Sequence, residues 1–298
     1  MRAKVPLAGK AVLVTGAARG IGEQVARRAA ARGARVALVG LEPERLRALA
    51  GELGERHCWY EADVTDQAAM EAAVAGAVAA LGGLDVVVAN AGVAPLGTVA
   101  TTPVEALART IEVDLIGVVR TVCATLPHLL ARRGYYLLVS SAAAFTAMPG
   151  MAAYCAAKAG VEQFANVLRL EVAHRGVAVG TAHPSWVDTD LTRDAHADLA
   201  SFQATLRKLP GPFGTVTSLE TCAEALVDAL ERRRRRVYVP RAVALAQTLR
   251  GVTLGPLGDW LLARGAGGQQ GAMIDRLEAE VRALGRSFGR HSTERLRR

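Results

Sequence analysis

Short apolar runs alternate with longer stretches of helical periodicity along most of the chain. The runs are rich in Val, Leu and Ala, and aromatic residues make up only 4% of the sequence. This composition favours strands buried in a parallel sheet over an aromatic-rich sandwich. The predicted strands are Lys10–Val14, Ala34–Val39, His57–Tyr60, Leu84–Val88, Tyr135–Ser140, Val177–Ala182 and Val237–Val239.

Helical sequence fills the intervals between these runs. A crossover between parallel strands returns right-handedly over one face of the sheet. Seven strands separated by helices therefore predict an α/β protein with a single doubly wound, seven-stranded parallel sheet, the Rossmann fold. The main predicted helices are Glu42–Leu53, Gln67–Leu81, Val104–Arg132 with a break near Pro127, Ala153–His174 and Leu219–Arg232.

The pattern changes after Val239. Residues Pro240–Gly271 are rich in glycine and predict broken helix at most. Apolar residues then recur at steps of three and four from Ile274 to Phe288, which predicts an amphipathic helix that docks on its own core or on a second subunit. We therefore expect one domain over residues 1–239 and a C-terminal extension over residues 240–298.

Composition and charge narrow the function classes. The chain has 298 residues, of which 51% are hydrophobic, and this excludes an intrinsically disordered protein. The formal net charge is +8, and its excess lies entirely after Leu230. A balanced main fold makes nucleic acid an unexpected partner. We interpret the run Arg232–Arg236 as a solvated helix end, with an anion or membrane site as the alternative.

The cysteines predict neither a metal site nor a disulfide framework, because Cys58, Cys123, Cys155 and Cys222 lie far apart without nearby histidine clusters. No apolar stretch of signal-peptide length precedes Lys10, which favours a reducing cytoplasm. The longest uncharged run, residues 134–157, contains serines, a proline and glycines, and we do not interpret it as a membrane span.

A glycine-rich segment lies where the first strand meets the first helix. Residues Thr15–Gly22 read TGAARGIG. Glycines there allow a tight turn and a close approach of the backbone to a ligand, and the following helix offers free N–H groups to a pyrophosphate. A glycine turn alone is a weak signal, because many strand-to-helix turns bind nothing.

A second motif places a phenol beside a cation. Tyr154 and Lys158 are four residues apart in a predicted helix and so lie on one face, and Ser141 ends a predicted strand. A neighbouring ammonium favours the phenolate and lowers the tyrosine pKa, which suits exchange of a proton with a substrate oxygen. Tyr and Lys at this spacing are also common on ordinary helix surfaces.

Taken together, these motifs resemble the short-chain dehydrogenase/reductase family. In that family TGxxxGxG opens the fold, NAG follows the fourth strand, and serine with YxxxK supplies catalysis. The order is the same here, and the resemblance covers Lys10–Val239. It implies the catalytic residues Ser141, Tyr154, Lys158 and Asp114. It implies the cofactor residues Gly16, Arg19, Gly20, Ile21, Gly22, Asp63, Val64, Asn90, Ala91, Gly92, Tyr154, Lys158, Pro184, Val187 and Thr189.

The resemblance also implies roles. Tyr154 is the expected general acid and base, Lys158 lowers its pKa and holds the nicotinamide ribose, and Ser141 orients the substrate oxygen. The chain departs from the family pattern at two places: Ser185 stands where glycine is usual, and Asp114 stands where a catalytic asparagine is usual.

The cofactor prediction is NADP(H), with NAD(H) as the alternative. NAD-preferring relatives carry an acidic residue at the position of Gly40, and NADP-preferring relatives often place a basic residue at the position of Arg19. Glu42 is the residue that argues for NAD(H), because it could reach a ribose hydroxyl and repel a phosphate.

The expected substrate is a bulky apolar alcohol or ketone. We predict that Pro240–Gly271 and a loop over Leu191–Pro212 cap an apolar pocket beside Tyr154. The alternative is an extension that contacts a membrane surface peripherally through Trp260 and flanking arginines. The apolar residues behind this prediction are Phe202, Leu206, Leu209, Phe213, Leu249, Leu257 and Trp260.

Two other functions stay open at this point. One is a 3-oxoacyl-thioester reductase, although those relatives usually end soon after the last strand. The other is a cofactor-binding regulatory protein without turnover. The family resemblance also implies a homodimer or homotetramer formed through the helices of Val104–Arg132 and Ala153–His174.

Overall fold

One sheet of seven parallel strands organises the chain. The computed structural model describes residues 4–209, 211–257, 260 and 270–291. Each predicted strand is confirmed to within two residues at its ends. The strands are β1 Ala11–Thr15, β2 Arg35–Gly40, β3 Cys58–Glu61, β4 Val86–Ala89, β5 Tyr135–Val139, β6 Ala178–Pro184 and β7 Arg236–Val239. Their order across the sheet is β3-β2-β1-β4-β5-β6-β7, which confirms the doubly wound α/β fold.

Helices cover both faces of this sheet. They are α1 Gly20–Ala31, α2 Pro43–Leu53, α3 Gln67–Leu81, α4 Val104–Ile111, α5 Gly117–Arg132, α6 Ala152–Ala173, α7 Asp190–Asp198, α8 Ala200–Lys208, α9 Leu219–Arg232, α10 Val243–Thr248 and α11 Arg250–Thr253, followed by a C-terminal helix Gln270–Leu284.

The central strands are apolar on both sides because both sides are covered. Every residue of β1 is buried, and alternate side chains point to opposite faces. Val12 and Val14 contact the layer formed by α1, α2 and α9. Ala11 and Leu13 contact the layer formed by α3, α5 and α6. The continuous apolar runs in the sequence therefore reflect two cores rather than one.

The predicted break near Pro127 is wrong. Helix α5 continues through Pro127, and the irregularity lies earlier, in a π-helical turn over Glu112–Ile116 that joins α4 to α5. Proline removes only the hydrogen bond to the carbonyl of Cys123. Cys123 is exposed, so solvent can satisfy that carbonyl.

The stretch Val104–Arg132 is long and apolar enough to cross a membrane by length and composition alone. Somewhat less than half of its most apolar window is buried inside the fold. Buried side chains such as Val118 and Val122 belong to the core on that face of the sheet, so the same apolarity serves packing here.

The segment Leu191–Pro212 is not the predicted loop, because most of it forms α7 and α8. The C-terminal extension contacts the main fold. Val243 of α10 is fully buried in a cluster with Phe145, and Val281 of the C-terminal helix is buried with Leu96 and Leu199. The predicted apolar seam therefore docks, in part, on the chain's own core.

Strands β1 and β4 are neighbours at the centre of the sheet. From this point the chain winds outwards to β2 and β3 on one side and to β5, β6 and β7 on the other. Loops that leave the carboxyl ends of β1 and β4 diverge and open a crevice, which is the usual ligand site of such folds.

Candidate active site

The turn after β1 is held by the segment after β4. The Asn90 side chain donates to the carbonyls of Thr15 and Gly16, at 3.1 and 3.3 Å. The Thr15 hydroxyl accepts from the backbone N–H groups of Asn90 and Ala91. Gly16 has φ +64°, and a Cβ there would lie 2.8 Å from Ala91 Cα. Both motifs thus form one rigid unit at the crevice.

The N-terminus of α1 suits a diphosphate. Arg19 occupies the N-cap position and makes no side-chain capping bond, so the first helical N–H groups face the crevice without that partner. Gly20 has φ +58°, and a Cβ there would touch nothing closer than Thr189 Cγ2 at 3.7 Å. Free N–H groups beside an open backbone cradle fit the pyrophosphate of a dinucleotide.

Asp63 lies at the carboxyl end of β3 in a fixed orientation. Its Oδ1 accepts from the Thr65 N–H and hydroxyl, each at 2.8 Å, and its Oδ2 accepts from Arg109 at 2.8 Å. Burial alone would raise the pKa of Asp63, but these donors outweigh it and hold the pKa below its usual value. The carboxylate is therefore ionised and positioned.

Arg19 is paired with two carboxylates. Its Nε donates to Glu42 at 2.8 Å, a second nitrogen also contacts Glu42, and Nη1 donates to Asp190 at 2.8 Å. The Glu42 hydrogen bond is the largest cause that raises the pKa of Arg19, although burial opposes it. Arg19, Glu42 and Asp190 thus lie together at the end of the crevice where the adenosine ribose is expected, which we call the ribose end.

Ser141, Tyr154 and Lys158 meet at the carboxyl end of β5. The Ser141 hydroxyl donates to the Pro184 carbonyl at 3.3 Å and accepts from the Ala143 N–H at 3.2 Å. Lys158 Nζ lies 5.4 Å from the centre of the Tyr154 ring, and it donates to the Val139 carbonyl at 3.3 Å.

Asp114 pairs directly with this lysine. Its Oδ2 lies 3.0 Å from Lys158 Nζ, and both side chains are buried. Its Oδ1 accepts from the Val93 N–H at 2.7 Å. A Cβ at Gly92 would lie 3.0 Å from Asp114 Oδ2 and 3.3 Å from Lys158 Nζ, so a larger residue there would crowd this pair.

Burial and Asp114 set the protonation of the site. Burial is the largest cause that raises the pKa of Tyr154; Lys158 and Ser141 lower it, and the Asp114 charge raises it again. Lys158 thus acts in the predicted direction, but the net pKa of Tyr154 lies above its ordinary value. Burial lowers the pKa of Lys158, and Asp114 more than compensates, so the ammonium is stabilised.

The remaining predicted residues lie at the end of β6, which is Pro184, and just after it, at Val187 and Thr189. Ser185 donates its N–H to the Val239 carbonyl at 2.8 Å, and Thr189 donates its N–H to the Val187 carbonyl at 2.7 Å. Every predicted site residue except Gly22 lines one crevice of about 1050 Å³. Gly22 has a packing role instead, because a Cβ there would lie 2.2 Å from the Gly16 carbonyl oxygen.

Sequence reasoning missed two residues that position the catalytic group. Buried His183 has Nδ1 3.2 Å from the Ser141 carbonyl and Nε2 3.0 Å from the Thr181 hydroxyl. Burial lowers its pKa, so the ring is neutral near pH 7. Ser140 donates from its hydroxyl to the Lys158 carbonyl at 2.7 Å. Both lie beside predicted residues, but only the three-dimensional contacts reveal their roles.

The far end of the crevice is lined by apolar residues of helices and of the turns beside them. Predicted Phe202, Leu209 and Leu249 line it, whereas Leu257 and Trp260 are exposed and do not. Leu206 is buried and does not line it, and the Phe213 side chain lies outside the described residues. The predicted seam contributes Ile274 and Leu277, with Met273 beside them, so this helix lines the crevice as well as docking on the core.

Comparison with known proteins finds one family of dehydrogenases and several similar dehydrogenases and reductases. The sequence profile of the family described as short chain dehydrogenase matches residues 10–200. Glycine betaine reductase ATRR of Emericella nidulans is 35% identical over 77% of the chain, but the chain covers only 18% of that protein. Inactive 2-(S)-hydroxypropyl-CoM dehydrogenase 2 of Xanthobacter autotrophicus is 36% identical over 70% of the chain and 92% of the relative. D-threitol dehydrogenase of Mycolicibacterium smegmatis is 38% identical over 63% of the chain and 74% of the relative.

Proposed function

The chain belongs to the short-chain dehydrogenase/reductase family, whose members are NAD(P)-dependent oxidoreductases of alcohols and ketones, and from this premise we propose which groups carry its reaction and what substrate it takes. The observation that carries the proposal is the meeting of Ser141, Tyr154 and Lys158 beside the glycine turn, in one crevice.

Tyr154 exchanges a proton with the substrate oxygen. In oxidation the phenolate accepts the proton of the alcohol, and in reduction the phenol donates a proton to the carbonyl oxygen. The Ser141 hydroxyl donates a hydrogen bond to the same oxygen, and the Lys158 ammonium stabilises the phenolate. When bound, the nicotinamide cofactor supplies or accepts the hydride.

The glycine turn and the N-terminus of α1 would hold the cofactor's pyrophosphate. Asp63 and Val64 would lie against its adenine, and Pro184, Val187 and Thr189 against its nicotinamide. The uncapped N–H groups and the cradle at Gly20 support this assignment.

We infer a bulky apolar alcohol or ketone as the substrate. The relatives' names cover betaine, a coenzyme M conjugate and a sugar alcohol, so they favour no single substrate for this chain. The support comes from Phe202 of α8, Leu249 in the turn between α10 and α11, and Leu277 of the C-terminal helix, which line the crevice from three parts of the chain. Binding sites of this kind are mostly apolar with a few polar anchors, here Ser141 and Tyr154.

The first test is a turnover screen of large and small alcohols and ketones with both cofactors, comparing wild type with Tyr154→Phe. We expect Tyr154→Phe to lower kcat by about 10²- to 10⁴-fold with cofactor affinity nearly unchanged, because only the proton donor is removed. Tyr60→Phe, at the opposite edge of the sheet, is the matched control. Cofactor binding without turnover in wild type would instead support the regulatory alternative.

For the cofactor we propose NADP(H), with a small preference. Arg19 is the cation at the ribose end, and Gly40 brings no carboxylate, so a 2′-phosphate gains a partner. Glu42 opposes this, because it already pairs with Arg19. The phosphate must therefore compete with Glu42 for the guanidinium.

Binding titrations with NADPH and NADH test this choice. We expect wild type to bind NADPH a few-fold more tightly, Arg19→Ala to remove the preference and Glu42→Gln to increase it. Tighter NADH binding by wild type that Arg19→Ala leaves unchanged would overturn the NADP(H) proposal without affecting the family assignment.

We also propose a reducing compartment such as the cytoplasm. The four cysteines are all free, and disulfides are rare in reducing compartments. For assembly we propose a homodimer or homotetramer formed through α4, α5 and α6, as the family resemblance implies.

A further inference from the structure

Five arginines surround a second cavity, at the amino ends of β6 and β7. It has a volume of about 710 Å³ and is lined by Arg169 of α6 and by Arg232, Arg233, Arg234 and Arg235 at the end of α9. The candidate active site lies at the carboxyl ends of the strands, where β6 ends at Pro184. The full length of β6 therefore separates the two cavities.

Carboxylates do not pair with four of these five cations. Among the described residues, none lies within 4.0 Å of the guanidinium groups of Arg169, Arg232, Arg234 or Arg235. Two acidic side chains whose charges interact with these arginines are paired elsewhere: Glu162 with Arg236 and Arg250, both at 3.5 Å, and Asp228 with Arg32 at 2.9 Å. The charge of this pocket is thus left for a ligand or for solvent.

Two of the guanidinium groups have buried nitrogens without a hydrogen-bond partner in the part of the chain that the structure describes. These are Arg169 Nη2 and Arg232 Nε. Arg169 is held in place by bonds from Nε to the Val179 carbonyl at 2.9 Å and from Nη1 to Asn166 at 3.1 Å. Burial lowers its pKa, and the charges of Arg235 and Arg236 lower it further. A buried unpaired donor is costly unless something accepts from it.

A solvated helix end explains only part of this arrangement. Cations are stabilised at helix C-termini, and Arg233 donates to the carbonyl of Arg133 at the end of α5 at 2.7 Å. That role does not explain why Arg169 of another helix faces the same cavity, nor why two buried N–H groups lack acceptors. Each helix end carries only about half a negative charge, against the four full positive charges of Arg169, Arg232, Arg234 and Arg235.

We propose that this arginine pocket binds a phosphorylated ligand with two or more negative charges. Guanidinium groups match phosphate oxygens in pairs of parallel hydrogen bonds, and such bonds are strongest where water is partly excluded. The ligand is either a free polyphosphate or the phosphorylated headgroup of a lipid, which share this chemistry.

Isothermal titration with sodium tripolyphosphate, on the full chain saturated with NADPH, tests the pocket. We expect one ligand per chain and at least tenfold weaker binding for the double variant Arg234→Gln/Arg235→Gln. In a separate titration without tripolyphosphate, wild type and the double variant should bind NADPH equally tightly. Both arginines are exposed, so the double variant should fold. The matched control is Arg47→Gln/Arg56→Gln, which removes two exposed arginines beyond β2, at the other edge of the sheet.

Flotation with phosphatidylcholine vesicles containing phosphatidylinositol 4-phosphate distinguishes the two sources. Vesicle binding that needs Arg234 and Arg235 assigns the lipid headgroup, and binding to tripolyphosphate alone assigns a free ligand. Arg169→Lys keeps the charge but loses the planar fork, and we expect it to weaken binding several-fold. The proposal is overturned if neither probe binds, or if the double variant binds as tightly as wild type.

Discussion

Asp114 is the residue that most distinguishes this site from the family pattern. The carboxylate lies 3.0 Å from Lys158 Nζ, where an asparagine amide would carry no charge. It stabilises the lysine cation and disfavours the phenolate of Tyr154. Asp114 therefore keeps Lys158 charged, and it also weakens the effect of that charge, which is to lower the pKa of Tyr154.

We predict that Asp114→Asn moves the pH dependence of turnover to lower pH. Oxidation needs the phenolate and rises as pH rises through the pKa of Tyr154, whereas reduction needs the phenol and falls through the same pKa. Removing a negative charge lowers that pKa, so the rise of oxidation and the fall of reduction should both occur at lower pH. The measurement is the pH profile of kcat/KM in each direction with the substrate found by screening.

Val216→Asn, at an exposed position away from the crevice, serves as the control and should leave the profile in place. A wild-type chain that binds cofactor without turnover, with activity restored by Asp114→Asn, would contradict this account and favour a regulatory protein.

Contacts between residues close in sequence could be predicted, whereas contacts between residues far apart in sequence could not. Tyr154 and Lys158 share a helix face, so their spacing alone indicates a pair. Arg19 meets Glu42 across 23 residues and Asp190 across 171, and no local pattern carries that information. The sequence therefore identified Arg19 as a candidate without its partners.

At the scale of elements, the glycine turn depends on close contact between neighbouring backbones. We predict that Gly22→Ala lowers the free energy of unfolding by about 1–3 kcal/mol, because a Cβ there would lie 2.2 Å from the Gly16 carbonyl oxygen. Gly51→Ala in α2 is the matched control, since a Cβ there meets nothing within 4 Å. Alanine should stabilise that helix by up to about 1 kcal/mol. Chemical denaturation measures both, and equal effects would contradict this role of Gly22.

The C-terminal helix should determine substrate size. We predict that Ile274→Ala lowers kcat/KM about tenfold for bulky ketones and hardly at all for small ones, because the lost methyl groups touch only a large substrate. Leu257→Ala, which is exposed and lines no part of the crevice, is the control. Equal losses for large and small ketones would contradict it. Point variants suit this test better than truncation, since Val243 and Phe288 are buried in the core.

The strands of the sheet were predicted more accurately than the helices that line the far end of the crevice. The buried strands appear in the sequence as continuous apolar runs because both faces of the sheet are covered. Helices α7 and α8 have mixed sequence and few apolar residues, and contacts with the C-terminal helix support them: Ser201 of α8 donates to Glu280 at 2.6 Å. A local pattern cannot indicate a helix that is stabilised from another part of the chain.

At the scale of the whole molecule, α6 carries apolar side chains on its outer face. Leu170 is 79% exposed and Val167 is 46% exposed, three residues apart on one side of the helix. We predict that the chain self-associates through this face and that Leu170→Glu shifts it to monomer in size-exclusion chromatography with light scattering. Val216→Glu is the control for an added surface charge. A wild-type monomer at micromolar concentration would contradict the prediction.

Arg19 joins the cofactor end of the crevice to its substrate end. It connects Glu42, just after β2, with Asp190, the first residue of α7, and α7 contributes Leu191 and Thr192 to the crevice wall. If the cofactor is NADP(H), as proposed, its 2′-phosphate would compete with both Glu42 and Asp190 for Arg19 and would weaken this contact of α7 before the substrate binds. We therefore predict a compulsory order of addition, in which the nucleotide enters first and leaves last, and product-inhibition patterns measure it.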